Sequence, residues 1–125
     1  MEAISTAAAY ESSAPLSQAI RHDDMVYLSG AVPLDPDTGE LPGDGVGEQT
    51  RQVLENLEAV LDEAGTSMDN VVRARVFLTD MDAFGELNEV YEEFMSEPYP
   101  SRTAVKAEMA SPEIKVEIDL TAAIE

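Results

Sequence analysis

Between Glu48 and Ala64 the apolar positions Val53, Leu54, Leu57, Val60 and Leu61 recur every three or four residues. That spacing gathers side chains on one face of an α-helix, and Gly65 follows as a helix stop. Phe84, Leu87, Tyr91, Phe94 and Met95 repeat the pattern from about Asp82 to Met95, where Pro98 and Pro100 end it. Elsewhere the period falls to two. In "VVRARVFL", residues 71–78, alternation puts Val72, Ala74, Val76 and Leu78 on one side of a strand. Val71, Arg73, Arg75 and Phe77 fall on the other. The short run "MVYLS" (25–29) after the turn-like "HDD" reads as a buried strand. "TAVKA" (103–107) and "IKVEIDL" (114–120) read as two more, joined through "MASPE". Residues 32–47 hold three prolines and four glycines and form a connecting loop.

The order strands, helix, strand, helix, two strands predicts an α+β fold, with both helices on one face of a small mixed sheet. No repeat or linker interrupts it, so residues 1–125 read as a single domain. The uncovered face would carry Val71, Arg73, Arg75 and Phe77, too apolar for bulk water and too polar for a core. Such a face is expected at a subunit interface.

Composition narrows the chemistry. The chain has 26 acidic and 7 basic residues, a formal charge of −19 and a pI near 4.1. A field of that sign repels phosphates, which argues against nucleic-acid binding. The carboxylates are spread along the chain and only two lysines occur, as in proteins of halophilic organisms. Most of these acids therefore read as surface solvation. With no cysteine, disulfides and thiol catalysis are excluded, and one histidine gives zinc no ligand set. No apolar run approaches 18 residues, and the N-terminus lacks a basic region before an apolar stretch. A cytoplasmic protein that neither spans nor binds membranes is expected.

One constellation remains, near the C-terminus. Alternation sets Ile114, Val116, Ile118 and Leu120 toward the helices, leaving Lys115, Glu117 and Asp119 on the outer face. In the preceding strand Thr103, Val105 and Ala107 are the expected inward set, with Arg102, Ala104 and Lys106 outward. A hairpin through 108–113 would pair Ala107 with Ile114, Ala104 with Glu117 and Arg102 with Asp119. Arg102 and Glu117 then become diagonal neighbours, roughly 5–8 Å apart at Cβ. A guanidinium fork matches a carboxylate ligand, and a nearby carboxylate can orient water or move a proton. Spacing alone favours a cross-strand salt bridge over such a site.

"PSRTAVKAEMASPEIKVEIDLTAAI" resembles the C-terminal signature of the Rid (YjgF) family of reactive enamine/imine deaminases. "APLSQAI", "YLSGAVPLDPDTGEL", "QTRQVLENLEAVLDEAG" and "VVRARVFLTDMDAFGELNEVYEEFM" match in the same order, so the resemblance covers nearly the whole chain. It implies a chorismate-mutase-like α+β fold, assembled as a homotrimer with clefts between subunits. It also implies cofactor-free hydrolysis of 2-imino and 2-enamino acids, such as 2-aminoacrylate, 2-iminopropanoate and 2-iminobutanoate, to 2-keto acids and ammonia. By the same resemblance, Arg102 binds the substrate carboxylate, while Glu117 and the Ala104 backbone carbonyl position the attacking water. Ser29, Gly30 and Asn88 line the cleft. Leu16 stands where the family commonly has a tyrosine that closes it, with Tyr10 a candidate to take that place. Leu16 therefore implies an apolar substrate side chain, or a non-catalytic relative that binds a small carboxylate metabolite in the same cleft. Some relatives are described as ribonucleases or translation inhibitors, the role least compatible with this charge.

Overall fold

The computed structural model of the protein describes residues 1–124. Its sheet has six strands: β1 (Glu2–Ile4), β2 (Ala19–His22), β3 (Met25–Leu28), β4 (Val71–Leu78), β5 (Ser101–Lys106) and β6 (Val116–Ala123). Helix α1 (Val46–Ala64) lies between β3 and β4 in the chain, and α2 (Phe84–Phe94) between β4 and β5. The strand order across the sheet is β1-β2-β3-β6-β4-β5.

The helices form where the apolar spacing predicts. Val53, Leu54, Leu57, Val60 and Leu61 of α1 are buried, and Leu87 and Tyr91 of α2 join them. α1 begins two residues earlier than its apolar pattern, because Glu48 reaches back to accept a hydrogen bond from Gly45 N–H and so caps the glycine-rich start. Gly65 ends it at φ 84°, a left-handed conformation that glycine adopts without a Cβ penalty. This helix-facing layer packs against Val26, Ala74, Val76, Val116, Ile118 and Leu120 to form the buried core.

β1 and β2 were not foreseen, since strands of three and four residues give alternation too little length to register. The "HDD" turn does its expected work: His22 pairs with Met25 across Asp23 and Asp24, with Asp23 at φ 53°.

Three expectations about facing need correction. A register shift between Val71 and Arg73 in β4 inverts the parity at its start, burying Val71 and leaving Val72 46% exposed. β5 and β6 form no hairpin. β4 stands between them, parallel to β5 and antiparallel to β6, so loop 107–115 carries the chain past the end of β4. The inward and outward sets of β5 are also exchanged. Arg102 and Ala104 lie beside Ala74 and Val76, whose side chains are fully buried under the helices, whereas Val105 is 42% exposed. The apolar pattern of this edge strand was misleading because aromatic rings of α2, rather than strand neighbours, shield its arginine.

Candidate active site

Arg102 rises from the edge strand β5 onto α2. Its guanidinium carbon sits 5.2 Å from the centroid of the Phe84 ring and 4.8 Å from that of Tyr91. Its Nη1 donates to Asn88 Oδ1 at 2.8 Å. Phe84, Asn88 and Tyr91 are spaced four and three residues apart, so one stripe of α2 supplies two aromatic faces and an acceptor. Among the described residues no carboxylate lies within ion-pairing distance of Arg102, despite 26 acidic residues in the chain. The rest of its donor fork is therefore available to a ligand. The cross-strand salt bridge that spacing favoured is not formed.

Around the guanidinium is a cavity of about 310 Å³ lined by Asn88, Tyr91, Glu92, Tyr99, Pro100 and Arg102. The Tyr91 hydroxyl is buried without a hydrogen-bond partner among the described residues. Burial raises its pKa, an effect that the Arg102 charge partly offsets. Ala104, two residues on, faces the same way at the sheet margin, where half of the backbone groups of β5 have no strand to pair with.

Glu117 lies elsewhere. It pairs with Phe77, and Phe77 is three residues along β4 from Ala74, the partner of Arg102. Odd separations point to opposite faces, so Glu117 leaves the sheet on the side away from Arg102. With β4 between them, their backbones are separated by about 10 Å across the sheet and a similar distance along it. The predicted diagonal pair does not exist within one chain.

What Glu117 does approach is Gly30. β3 pairs with β6 as far as Tyr27–Thr121, and contact resumes only at the Ala31–Ile118 bridge. Tyr27 to Ala31 is four steps and Thr121 to Ile118 is three, the count of a β-bulge. The bulge brings the Gly30 backbone under the Glu117 carboxylate, so a Cβ on Gly30 would fall 2.1 Å from Glu117 Oε2. Desolvation raises the Glu117 pKa, and the negative charge of Asp119 adds to it. Asp119 is itself gripped by Arg75, whose Nε and Nη2 reach its carboxylate at 3.1 and 2.8 Å.

Beside Glu117 opens a second cavity of about 350 Å³, bounded by Tyr10, Leu16, Ser29, Gly30 and the loop from Ala31 to Leu34, with Leu57 and Val60 of α1 behind. The structure thus brings Leu16, Ser29, Gly30, Glu117 and Tyr10 together, and separately gathers Arg102, Asn88 and Ala104. Sequence reading missed three residues that hold the walls in place: Gln18, Gln49 and Asn56. The Asn56 amide donates to Val32 O and Leu34 O, and Gln18 Nε2 donates to the carbonyls of Thr6, Ala9 and Tyr10. Gln49 accepts from Lys115 N–H and donates to Glu113 O, fixing the approach to Glu117. The available signal was a polar side chain on the apolar stripe of a helix, as for Gln49 and Asn56.

Residues 6–124 match the sequence model of a family described as endoribonuclease L-PSP. The mouse 2-iminobutanoate/2-iminopropanoate deaminase is 40% identical over 119 residues, 95% of this chain and 86% of its own. A RutC family protein of Pyrococcus abyssi is 38% identical over 121 residues, 97% of this chain and 95% of its own. The crystal structure of RidA from an Antarctic Psychrobacter superposes with a TM-score of 0.94 at 39% identity, covering 99% of this chain and all of that one. Escherichia coli TdcF with bound serine superposes at 0.92 with 34% identity over the full length of both chains. Sequence match, strand order and the placement of two helices on one mixed sheet agree: the chain belongs to the Rid (YjgF) family.

Proposed function

We propose that this protein is a hydrolytic deaminase of 2-imino and 2-enamino acids whose site is completed between subunits of a homotrimer. The observation that carries this reading is the division of the site. Arg102 and Glu117 leave opposite faces of one sheet and line two separate cavities, so no small ligand spans them within one chain. A second copy that presents its β5 edge to the uncovered sheet face of the first brings one Arg102 to one Glu117. The uncovered face suits such contact: Tyr27 and Val105 are exposed there, beside Phe77, Arg73 and the Arg75–Asp119 pair. A ring of three copies closes with every such site filled. The name of the mouse relative and the serine held by TdcF are compatible with a small amino-acid-derived ligand.

In that cleft Arg102 takes the substrate carboxylate on its open fork, held flat by Phe84 and Tyr91 and turned by Asn88. Glu117 and the Ala104 carbonyl accept the hydrogens of a water aimed at the imine carbon. Attack forms the C–O bond as Glu117 takes one water proton and the C=N π pair moves to nitrogen, which receives that proton. In the carbinolamine the hydroxyl proton passes by way of Glu117 to the amino group, and the C–N bond breaks as the C=O bond forms, releasing ammonia. An imine carbon is already electrophilic, so positioning and proton transfer suffice, and no side-chain nucleophile or cofactor is required. A free-standing ribonuclease role fits poorly, because a surface of net charge −19 repels a phosphate backbone.

The test is a competition. 2-Iminobutanoate generated by an amino-acid oxidase is trapped by semicarbazide, and the protein is expected to divert it to 2-oxobutanoate. A well-folded trimer that leaves the trapping rate unchanged would instead indicate a relative that only binds carboxylates, the alternative that Leu16 in place of tyrosine keeps open.

A further inference from the structure

The cavity beside Glu117 has an uneven chemistry. Leu16, Val32, Leu34, Leu57, Val60 and Ile114 make its lining mainly apolar, while Tyr10, Ser12, Gln18, Ser29, Asn56 and Glu117 are the polar residues that reach it. The polar side chains among them are mostly engaged elsewhere. Both Asn56 amide hydrogens go to Val32 O and Leu34 O, and Gln18 Nε2 goes to the carbonyls of the 6–10 segment. The Ser29 hydroxyl donates to Ser17 O at 2.6 Å, which anchors the segment carrying Leu16. A ligand group entering here therefore meets mainly hydrocarbon and few free donors, with the Glu117 carboxylate among the lining groups. At about 350 Å³ the chamber is many times the ~30 Å³ that one water takes in the liquid, far more than a methyl group needs.

Resting on the deaminase reading, we propose that this chamber receives the substrate's side chain, and that the preferred substrates are 2-imino acids with branched or extended aliphatic side chains. Leu16 is the specificity-determining residue at the entrance. It is 51% exposed, so its side chain is positioned to be covered by a ligand. Gln18, Ser29 and Asn56 hold the walls, so the chamber exists before ligand arrives and binding orders little of the chain. Each additional buried methylene raises selectivity several-fold in a pocket of this kind.

The experiment compares 2-iminopropanoate, generated from alanine, with 4-methyl-2-iminopentanoate, generated from leucine, in the semicarbazide competition. Alongside it, calorimetry measures binding of the product analogues pyruvate and 4-methyl-2-oxopentanoate. The expected result is a kcat/KM for the leucine-derived imine on the order of tenfold or more above that for the alanine-derived one, with the same order in binding. Leu16→Tyr and Ala31→Leu, one at the exposed entrance and one inside the chamber, are expected to shrink that ratio, with circular dichroism verifying the fold. Equal or reversed preference in both measurements overturns the proposal while leaving a deaminase. Preferential binding of the longer oxo acid without any imine hydrolysis supports the chamber's ligand class and removes the deaminase reading instead.

Discussion

Arg102 and Glu117 face opposite ways across one sheet, with β4 between their strands. Arg102 lies beside Ala74 under helix α2, and Glu117 lies beside Phe77 on the uncovered side. Two groups that suit one reaction are thus kept apart by their own chain, and assembly is the simplest way to join them.

Removing the guanidinium fork tests the carboxylate-binding role proposed for Arg102. Arg102→Ala is expected to lower kcat/KM by about 2–4 kcal/mol of transition-state stabilisation, and Arg102→Lys to recover little, since an ammonium lacks the planar fork. Asn88→Ala leaves the charge but frees the guanidinium to turn. It is expected to raise KM roughly three- to tenfold, with the fold intact by circular dichroism.

Glu117 makes a pH-dependent prediction of definite sign. Burial and Asp119 favour its neutral form, so the folded chain binds this proton more tightly than the unfolded chain does. Its contribution to stability is then greatest below the ordinary carboxylate pKa and is lost as pH rises through the raised value. Glu117→Gln is expected to abolish turnover yet raise Tm at neutral pH, a gain that vanishes below about pH 4, where the carboxyl is protonated in both states. In wild type the acid limb of kcat/KM should sit above the usual carboxylate range. Asp119→Asn, which removes one negative charge and frees the Arg75 cation, should move that limb to lower pH. An unmoved limb would mean that another group controls it.

Gly30 is needed for space rather than for backbone freedom. A methyl group there would collide with the Glu117 carboxylate, so Gly30→Ala should displace that carboxylate and cost on the order of 100-fold in kcat. Near-normal activity in a folded Gly30→Ala protein would show that the Glu117 position is not critical.

The charge predicts a salt response. Among the described residues, Asp and Glu are absent from the buried set and only two arginine–carboxylate pairs form, Arg51–Glu93 and Arg75–Asp119. Most carboxylates therefore repel one another across the surface. If this is a halophilic surface, raising KCl from about 0.1 M to about 2 M should increase Tm markedly; a flat response would mark an ordinary acidic protein.

The helices were legible because α1 and α2 each carry several turns of apolar repeat, and the inward set of β6 because four alternating residues are a firm signal. Resemblance, rather than spacing, singled out Arg102 and Glu117. Spacing alone misplaced Arg102, since local alternation fixes which residues share a face but not which strand lies alongside. The parallel β4–β5 pairing is set by α2 packing across the sheet, a long-range term that "SRTAVK" does not encode locally. The parity error at Val71 and Val72 has a similar cause, because a one-residue bulge leaves no mark on hydrophobicity. Gln18, Gln49 and Asn56 became visible only when their backbone partners, many of them distant in sequence, came into view.

The most direct measurement of the divided site is complementation. Arg102→Ala and Glu117→Gln subunits, each inactive alone, are coexpressed with distinct tags, and mixed oligomers are purified and assayed for imine hydrolysis. If each site takes Arg102 from one subunit and Glu117 from the next, every mixed trimer, whichever subunit is in the majority, has one intact site in three, so about a third of the wild-type sites are restored. Activity approaching that fraction is predicted. Mixed oligomers as inactive as either parent, in a protein whose wild type is active, would contradict the shared site.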